Sequence, residues 1–108
     1  MKLKGKVSLV SACGRGIGKE IALTLAREGS KLIINSFSEE NTKTLEKEIA
    51  DLGVEVVAVA GDITKSKVIL ETVNKGIEAF GEIDIVINNV GGGSASEIDD
   101  KDLSLIHI

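Results

Sequence analysis

The chain has 108 residues, a size suited to one small domain with its own core, and 43% of them are hydrophobic, which argues against disorder. A net charge of −4 argues against a general nucleic-acid binder, and no apolar run approaches the length of a transmembrane helix. The single cysteine, Cys13, cannot form an internal disulfide and no His/Cys cluster has metal-ligand spacing, so the expected setting is the cytoplasm, without a metal.

Two phenylalanines with no tryptophan and no tyrosine imply an aliphatic core. Residues 7–11, VSLVS, read as a buried strand, a short apolar run with little alternation. Residues 17–28 read as a helix with Ile21, Ala22, Leu25 and Ala26 on one face and Gly29 as its C-terminal stop. Residues 31–35, KLIIN, are the next strand. Ser38 is placed to cap a second helix running to Leu52, with Leu45, Ile49 and Leu52 inward and Gly53 after it. Residues 55–60, EVVAVA, form a third strand. A third helix follows Asp62 and Thr64; Ile69, Val73, Gly76, Ile77 and Phe80 make one apolar stripe, and Gly81 ends it. Residues 83–87 form a fourth strand. Strands and helices alternate with short connections, which predicts an α/β fold: a parallel sheet covered by helices on both faces.

In a doubly wound sheet the first strand-to-helix turn faces bound nucleotides. Glycines let the backbone approach a pyrophosphate, and the helix N-terminus attracts its charge. Here that turn is SACGRGIG, beginning at Ser11. The G-x-G-x-x-G pattern does not fit, because Gly14 and Gly16 would require a glycine where Lys19 stands. The usable spacing is Ala12, Gly16, Gly18. A tight turn that needs glycine only for its backbone angles is the plain alternative. Another is a bacterial lipoprotein box in VSAC, with Lys2, Lys4 and Lys6 as the positive start and Cys13 as the lipid anchor. Its apolar segment, residues 7–12, is shorter than the ~7–15 residues of a signal core.

These motifs carry a resemblance to the short-chain dehydrogenase/reductase family, extending over residues 5–91. GKVSLVSACGRGIGKEIA resembles the family's first strand, T-G-x-x-x-G-I-G loop and first helix, with Ser11 in place of Thr and Ala12 in place of Gly. GDIT, starting at Gly61, resembles the family's D-[VI]-T, whose Asp contacts the adenine ring. GEIDIVINNVGG resembles G-x-I-D-x-L-V-N-N-A-G, with Val90 replacing Ala. The resemblance implies a Rossmann-like fold, truncated after the fourth strand, in which residues 1–102 form a partial dinucleotide-binding domain.

It also implies a set of cofactor-binding residues. In the glycine loop these are Ser11, Ala12, Cys13, Gly14, Arg15, Gly16, Ile17 and Gly18. Ser11 and the backbone from Cys13 to Ile17 are expected to hydrogen-bond phosphates or to stabilise the loop. Asn35 and Ser36 stand at the end of the second strand, and Asp62 and Ile63 follow the third; helix capping is the other role open to Asp62. Of Asn88 and Asn89, one is expected to brace the sheet edge, and the other, with Gly91, to lie near the ribose; Val90 belongs to the same cofactor-binding set. An acidic residue ending the second strand accepts hydrogen bonds from the ribose 2′-OH of NAD. NSFS, residues 35–38, has no carboxylate and Arg15 can meet a 2′-phosphate, so NADP is expected to be favoured over NAD. Phe37 stands where an arginine would strengthen that preference.

Family chemistry is hydride transfer between a nicotinamide and a carbonyl or alcohol, with a Tyr as general acid/base and a Lys four residues later. This chain has no tyrosine, and Ser94 and Ser96 lie too early to be the family's catalytic serine, so no catalytic residue is assigned. The expectation is the N-terminal cofactor-binding fragment of a reductase, itself inactive. The parent would act on a small carbonyl or alcohol substrate as a homo-oligomer. The fragment is expected to self-associate through the apolar edge of its fourth strand. Residues 103–108, LSLIHI, are one translation of the transposon mosaic-end adaptor used in sequencing libraries. They are expected to be a non-native tail in which His107 has no function. A stand-alone nucleotide-binding or regulatory module is the alternative function.

Overall fold

Strands rich in Val, Ile and Leu have no polar face to turn to water, so they must pair inside the molecule. The four strands are β1 (Val7–Ser11), β2 (Lys31–Ser36), β3 (Val56–Ala60) and β4 (Ile85–Asn88). In the computed structural model, which describes residues 2–13 and 16–88, they form one parallel sheet in the order β3-β2-β1-β4. The register sets Leu9 opposite both Ile33 and Val86, and Ile34 opposite Ala58. The helices are α1 (Gly16–Arg27), α2 (Glu39–Asp51) and α3 (Ser66–Phe80). Ser38 caps α2 by accepting the Asn41 N–H at 3.2 Å, and Glu39 and Glu40 favour the positive end of that helix.

Period-two alternation sends neighbouring strand residues to opposite faces of the sheet. Val10, Leu32 and Ile34 pack with Ala22, Leu23 and Ala26 of α1 and with Leu45 and Ile49 of α2. Val7, Leu9 and Ile33 face the other way, toward Val73 and Phe80 of α3. Both faces are covered, as the apolar strands require. Among the described strands, β4 pairs with β1 alone. Among the described residues, no helix is long and apolar enough to cross a membrane. The tail at residues 103–108 lies outside the described residues.

Small shifts separate the expected and observed elements. α1 begins at Gly16, β3 at Val56 and β4 at Ile85. Leu52 is not inward: α2 ends at Asp51, and Leu52 forms its exposed C-cap. The α3 stripe is also turned. Ile69 and Ile77 are 44% and 43% exposed, while Thr72 and Gly76 are buried. The reason is the distance between helix and sheet. A Cβ on Gly76 would fall on Ile33 Cδ1 and lie 2.8 Å from its Cγ1, and Ile33 is fully buried. The backbone of α3 therefore meets the sheet at a residue without a side chain. Thr72 tolerates burial because its hydroxyl donates to the Val68 carbonyl at 2.7 Å.

This contact makes a stability prediction. Alanine at position 76 gains about 1 kcal/mol of helix propensity but overpacks the contact by ~1–3 kcal/mol. Gly76→Ala is expected to lower the urea unfolding free energy by about 1 kcal/mol. Ile33→Val, which removes the clashing methyl, should cost less in the Gly76→Ala background than in the wild type. Additive losses in that double-mutant cycle would refute the contact.

Candidate functional site

Crossovers between parallel strands are right-handed, so the strand order dictates where helices go. α1 and α2 carry the chain from β1 outward to β3 on one face. α3 returns it past β2 and β1 to β4 on the other face. In this strand order the winding reverses between β1 and β4, the place where open α/β sheets take ligands. The carboxyl edge of the sheet gathers Ala12 and Cys13 after β1, Phe37 after β2, Gly61 to Thr64 after β3, and Asn88 closing β4.

The turn after β1 has an unusual backbone. Ala12 has φ +51°, the one non-glycine positive φ among the described residues. Gly16 has φ +65°, and a Cβ there would meet nothing within 4 Å. A left-handed backbone that favours glycine, with open space at its Cβ position, leaves room for a close backbone approach to a ligand. α1 starts at Gly16 and has no acidic residue in its first turn, unlike α2. Its first-turn N–H groups, those of Ile17 and Gly18 among them, have no acceptor within the helix. Its positive end is therefore not offset by carboxylates of that turn and suits an anion such as a phosphate. Ile17 is 76% exposed at this end, whereas Gly18 is buried.

The side chains at this edge are turned inward to hold the loops. Ser11 is buried, and its hydroxyl donates to Asn88 Oδ1 at 2.7 Å. This bond ties the end of β4 to the end of β1. Asn35 is buried as well. Its Oδ1 accepts the Ala12 N–H at 3.1 Å, and its Nδ2 donates to the Val59 and Gly61 carbonyls, each at 3.1 Å. Its side chain thus points into the structure and not toward a ribose, a correction to the sequence expectation. Alternation accounts for it, since Asn35 shares the sheet face of Ile33. Ser36 is also buried, and its carbonyl accepts the Gly61 N–H at 2.9 Å. Cys13 donates its N–H to the Asn35 carbonyl at 2.8 Å, which removes that N–H from the expected phosphate donors.

The Cys13 thiol is fully buried, with Sγ 3.3 Å from the Val10 carbonyl and 3.2 Å from that of Asn35. Asp62 does not cap α3, whose N-cap position is Lys65. Its Oδ1 accepts the Thr64 hydroxyl at 2.6 Å and the Thr64 N–H at 2.9 Å, and these bonds hold the carboxyl below its usual range. Ile63 is half-buried within that turn. Gly14, Arg15, Asn89, Val90 and Gly91 lie outside the described residues. Among the described residues, no three His, Cys, Asp or Glu side chains gather as a metal site. An open groove of about 550 Å³ lies away from this edge, along the outside of β3 between Lys47 and Phe80, and contains none of these residues.

Comparison with known proteins agrees with this fold. Residues 6–107 match the family model described as short chain dehydrogenase. The chain belongs to the short-chain dehydrogenase/reductase family. It is 43% identical over 90 residues to a hydroxynaphthalene reductase-like protein Arp2 of Metarhizium anisopliae, covering 82% of this chain and 34% of that protein. It is 32% identical over 99 residues to 7α-hydroxysteroid dehydrogenase of Escherichia coli K12, covering 92% of this chain and 39% of the relative. The chain therefore spans little more than a third of the length of these relatives. Among solved structures, it matches a 7α-hydroxysteroid dehydrogenase complexed with NADH and 7-oxo glycochenodeoxycholic acid at TM-score 0.80 and 30% identity, covering 95% of this chain and 41% of that one. An NAD⁺-bound xylitol dehydrogenase matches at TM-score 0.80 and 30% identity, covering 98% and 42%.

Burial of Cys13 makes a prediction about alkaline stability. Loss of hydration pushes the thiol from an ordinary value of 9.0 up to about 11, because the thiolate is disfavoured inside. The folded-state pKa is the raised one, so its contribution is fully present below pH 9 and is lost as pH rises toward 11. The wild type should lose up to about 2–3 kcal/mol relative to Cys13→Ala across that interval. Urea unfolding of both proteins at a series of pH values checks it, and parallel curves would refute it.

Proposed function

We propose that this chain is the dinucleotide-binding portion of an oxidoreductase that moves hydride between NADP(H) and a carbonyl or alcohol group of a small organic substrate. The observation that carries the reading is the turn from Ala12 into α1. It combines a positive-φ glycine with open space at its Cβ position and a helix N-terminus without acidic residues, all at the winding reversal. The related proteins are named reductase and dehydrogenase, and two structures of similar fold hold NADH or NAD⁺. The N–H groups of Gly16, Ile17 and Gly18 would hold the pyrophosphate. The edge near Asp62 and Ile63 would take the adenine end. The bound dinucleotide supplies the hydride. Residues 1–102 form the binding domain in this reading. Its setting is the cytoplasm, the whole protein is a homo-oligomer, and neither nucleic acid nor a membrane is a partner.

NADP is the proposed preference over NAD. Support comes from the end of β2, where Ser36 and Phe37 provide no carboxylate for a ribose diol. Arg15 is the proposed partner of the 2′-phosphate. NADPH is expected to bind about tenfold more tightly than NADH, as one charge-assisted contact allows. Arg15→Ala should narrow the gap, and Gly16→Val should weaken both cofactors by placing a branched side chain in the pyrophosphate space. Titration calorimetry checks these outcomes. Equal affinities in the wild type would refute the preference, and an unaffected Gly16→Val protein would refute the loop assignment.

The same reading predicts no turnover by these 108 residues, which include no tyrosine. A missing general acid/base group alone costs ~10²–10⁴-fold, and lost positioning can add ~7–11 kcal/mol of barrier. Purified chain is expected to oxidise NADPH no faster than blank with a panel of ketones and aldehydes. Turnover that disappears in Gly16→Val would overturn this expectation.

A further inference from the structure

We propose that Asn35 is a positioning residue whose buried amide locks the glycine loop and the β3–α3 turn into one rigid rim for the dinucleotide. The inference rests on the dinucleotide reading above. It starts from topology. β2 lies between β1 and β3, so a side chain at its carboxyl end can reach the loops that follow both neighbours. Asn35 does so with a single planar group. Oδ1 accepts the Ala12 N–H on one side, and Nδ2 donates to the Val59 and Gly61 carbonyls on the other. Backbone bonds run in parallel with it: Cys13 N–H to the Asn35 carbonyl and Gly61 N–H to the Ser36 carbonyl.

The chemistry of the three partners selects this residue type. One acceptor and two donors are needed in one short side chain. An aspartate offers no donors, and a serine or threonine offers one. A flipped amide would set N–H against N–H and oxygen against two carbonyls, so the network fixes its orientation. The segments held are the unusual ones: Ala12 at φ +51° and Gly61 at φ +151°, immediately before Asp62. Burial makes each unpaired group costly. The two loops therefore share one fastener, and loosening it should free both together.

The test uses the 108-residue chain with NADP⁺ as probe. Asn35→Ala, studied below its melting temperature, should bind NADP⁺ about tenfold more weakly than wild type, the effect of losing about one buried hydrogen-bonded group. Amide hydrogen exchange should accelerate at Ala12, Cys13 and Gly61 together and stay unchanged at Leu9 and Ile33. Asn35→Ser, which keeps one donor, should fall between, and it replaces the alanine variant if that protein does not fold. Ile49→Val, a core change in α2, should lower the melting temperature without either effect. Wild-type affinity in a folded Asn35→Ala or Asn35→Ser protein, or faster exchange confined to one loop, would overturn the proposal. If the wild type itself does not bind NADP⁺, the dinucleotide reading falls, and the exchange measurement still decides whether Asn35 couples the loops.

Discussion

The handedness of the crossover between parallel strands is the constraint from which the rest of this molecule follows. A right-twisted strand feeding a helix packs back onto the sheet in one sense only. With the order β3-β2-β1-β4, that rule sends α1 and α2 to one face and α3 to the other. The strands must then be apolar on both sides. β1 is central and buried along its whole length, and the winding reverses beside it, between β1 and β4. That reversal arises from topology. No side chain had to be chosen to make it.

What side chains do at that edge is hold it. Loops leaving a parallel sheet carry backbone groups that no neighbouring strand pairs, and these must be satisfied where they are buried. Ser11 with Asn88 closes the gap between β1 and β4. Asn35 and the Ser36 carbonyl close the gap between β1 and β3 over the end of β2. Asp62 folds its own turn through Thr64. Among the described residues no buried side-chain polar atom is left without a partner. The buried polar side chains at this edge are thereby committed to the frame, and on the dinucleotide reading the pyrophosphate is left to main-chain N–H groups at the start of α1. This division suits a phosphate, which needs donors and a positive field more than any particular side chain.

The architecture was legible because its signals are periodic. Each strand is an apolar run, each helix has a stripe, and Ser38 and Gly81 mark a start and a stop where sequence rules place them. The α3 stripe was misread for a physical reason. Hydropathy ranks Ile69 and Ile77 above Thr72, yet the close approach at Gly76, a member of the expected stripe, brings Thr72 inward beside it. In the site, the spacing of Ala12, Gly16 and Gly18 marked a strand-to-helix turn, and β1 does pass into α1 there. The role of Asn35 was not legible, because counting from the strand end places it near the ribose. The alternation that puts Ile33 toward α3 puts Asn35 on the same side, and that signal was present in the sequence. The partners of its amide, Ala12 and Gly61, are 23 and 26 residues away and become visible only when the strands are paired.

This placement changes how discrimination between dinucleotides would have to work. Asn35 is enclosed, with both amide hydrogens and its oxygen engaged, and Ser36 is packed beneath the Gly61 turn. Replacing Asn35 by aspartate would not create a ribose-binding carboxylate, because the new charge would face the Val59 and Gly61 carbonyls. Ser36 points to the opposite face from Asn35, toward α1 and α2, so an acid introduced there lies on the glycine-loop side of the sheet. Phe37, 78% exposed, is the first residue after β2 whose side chain stands clear of the frame. On the dinucleotide reading, selectivity for the 2′-position therefore rests on positions 36 and 37 together with the glycine loop, while position 35 governs how firmly that loop is held.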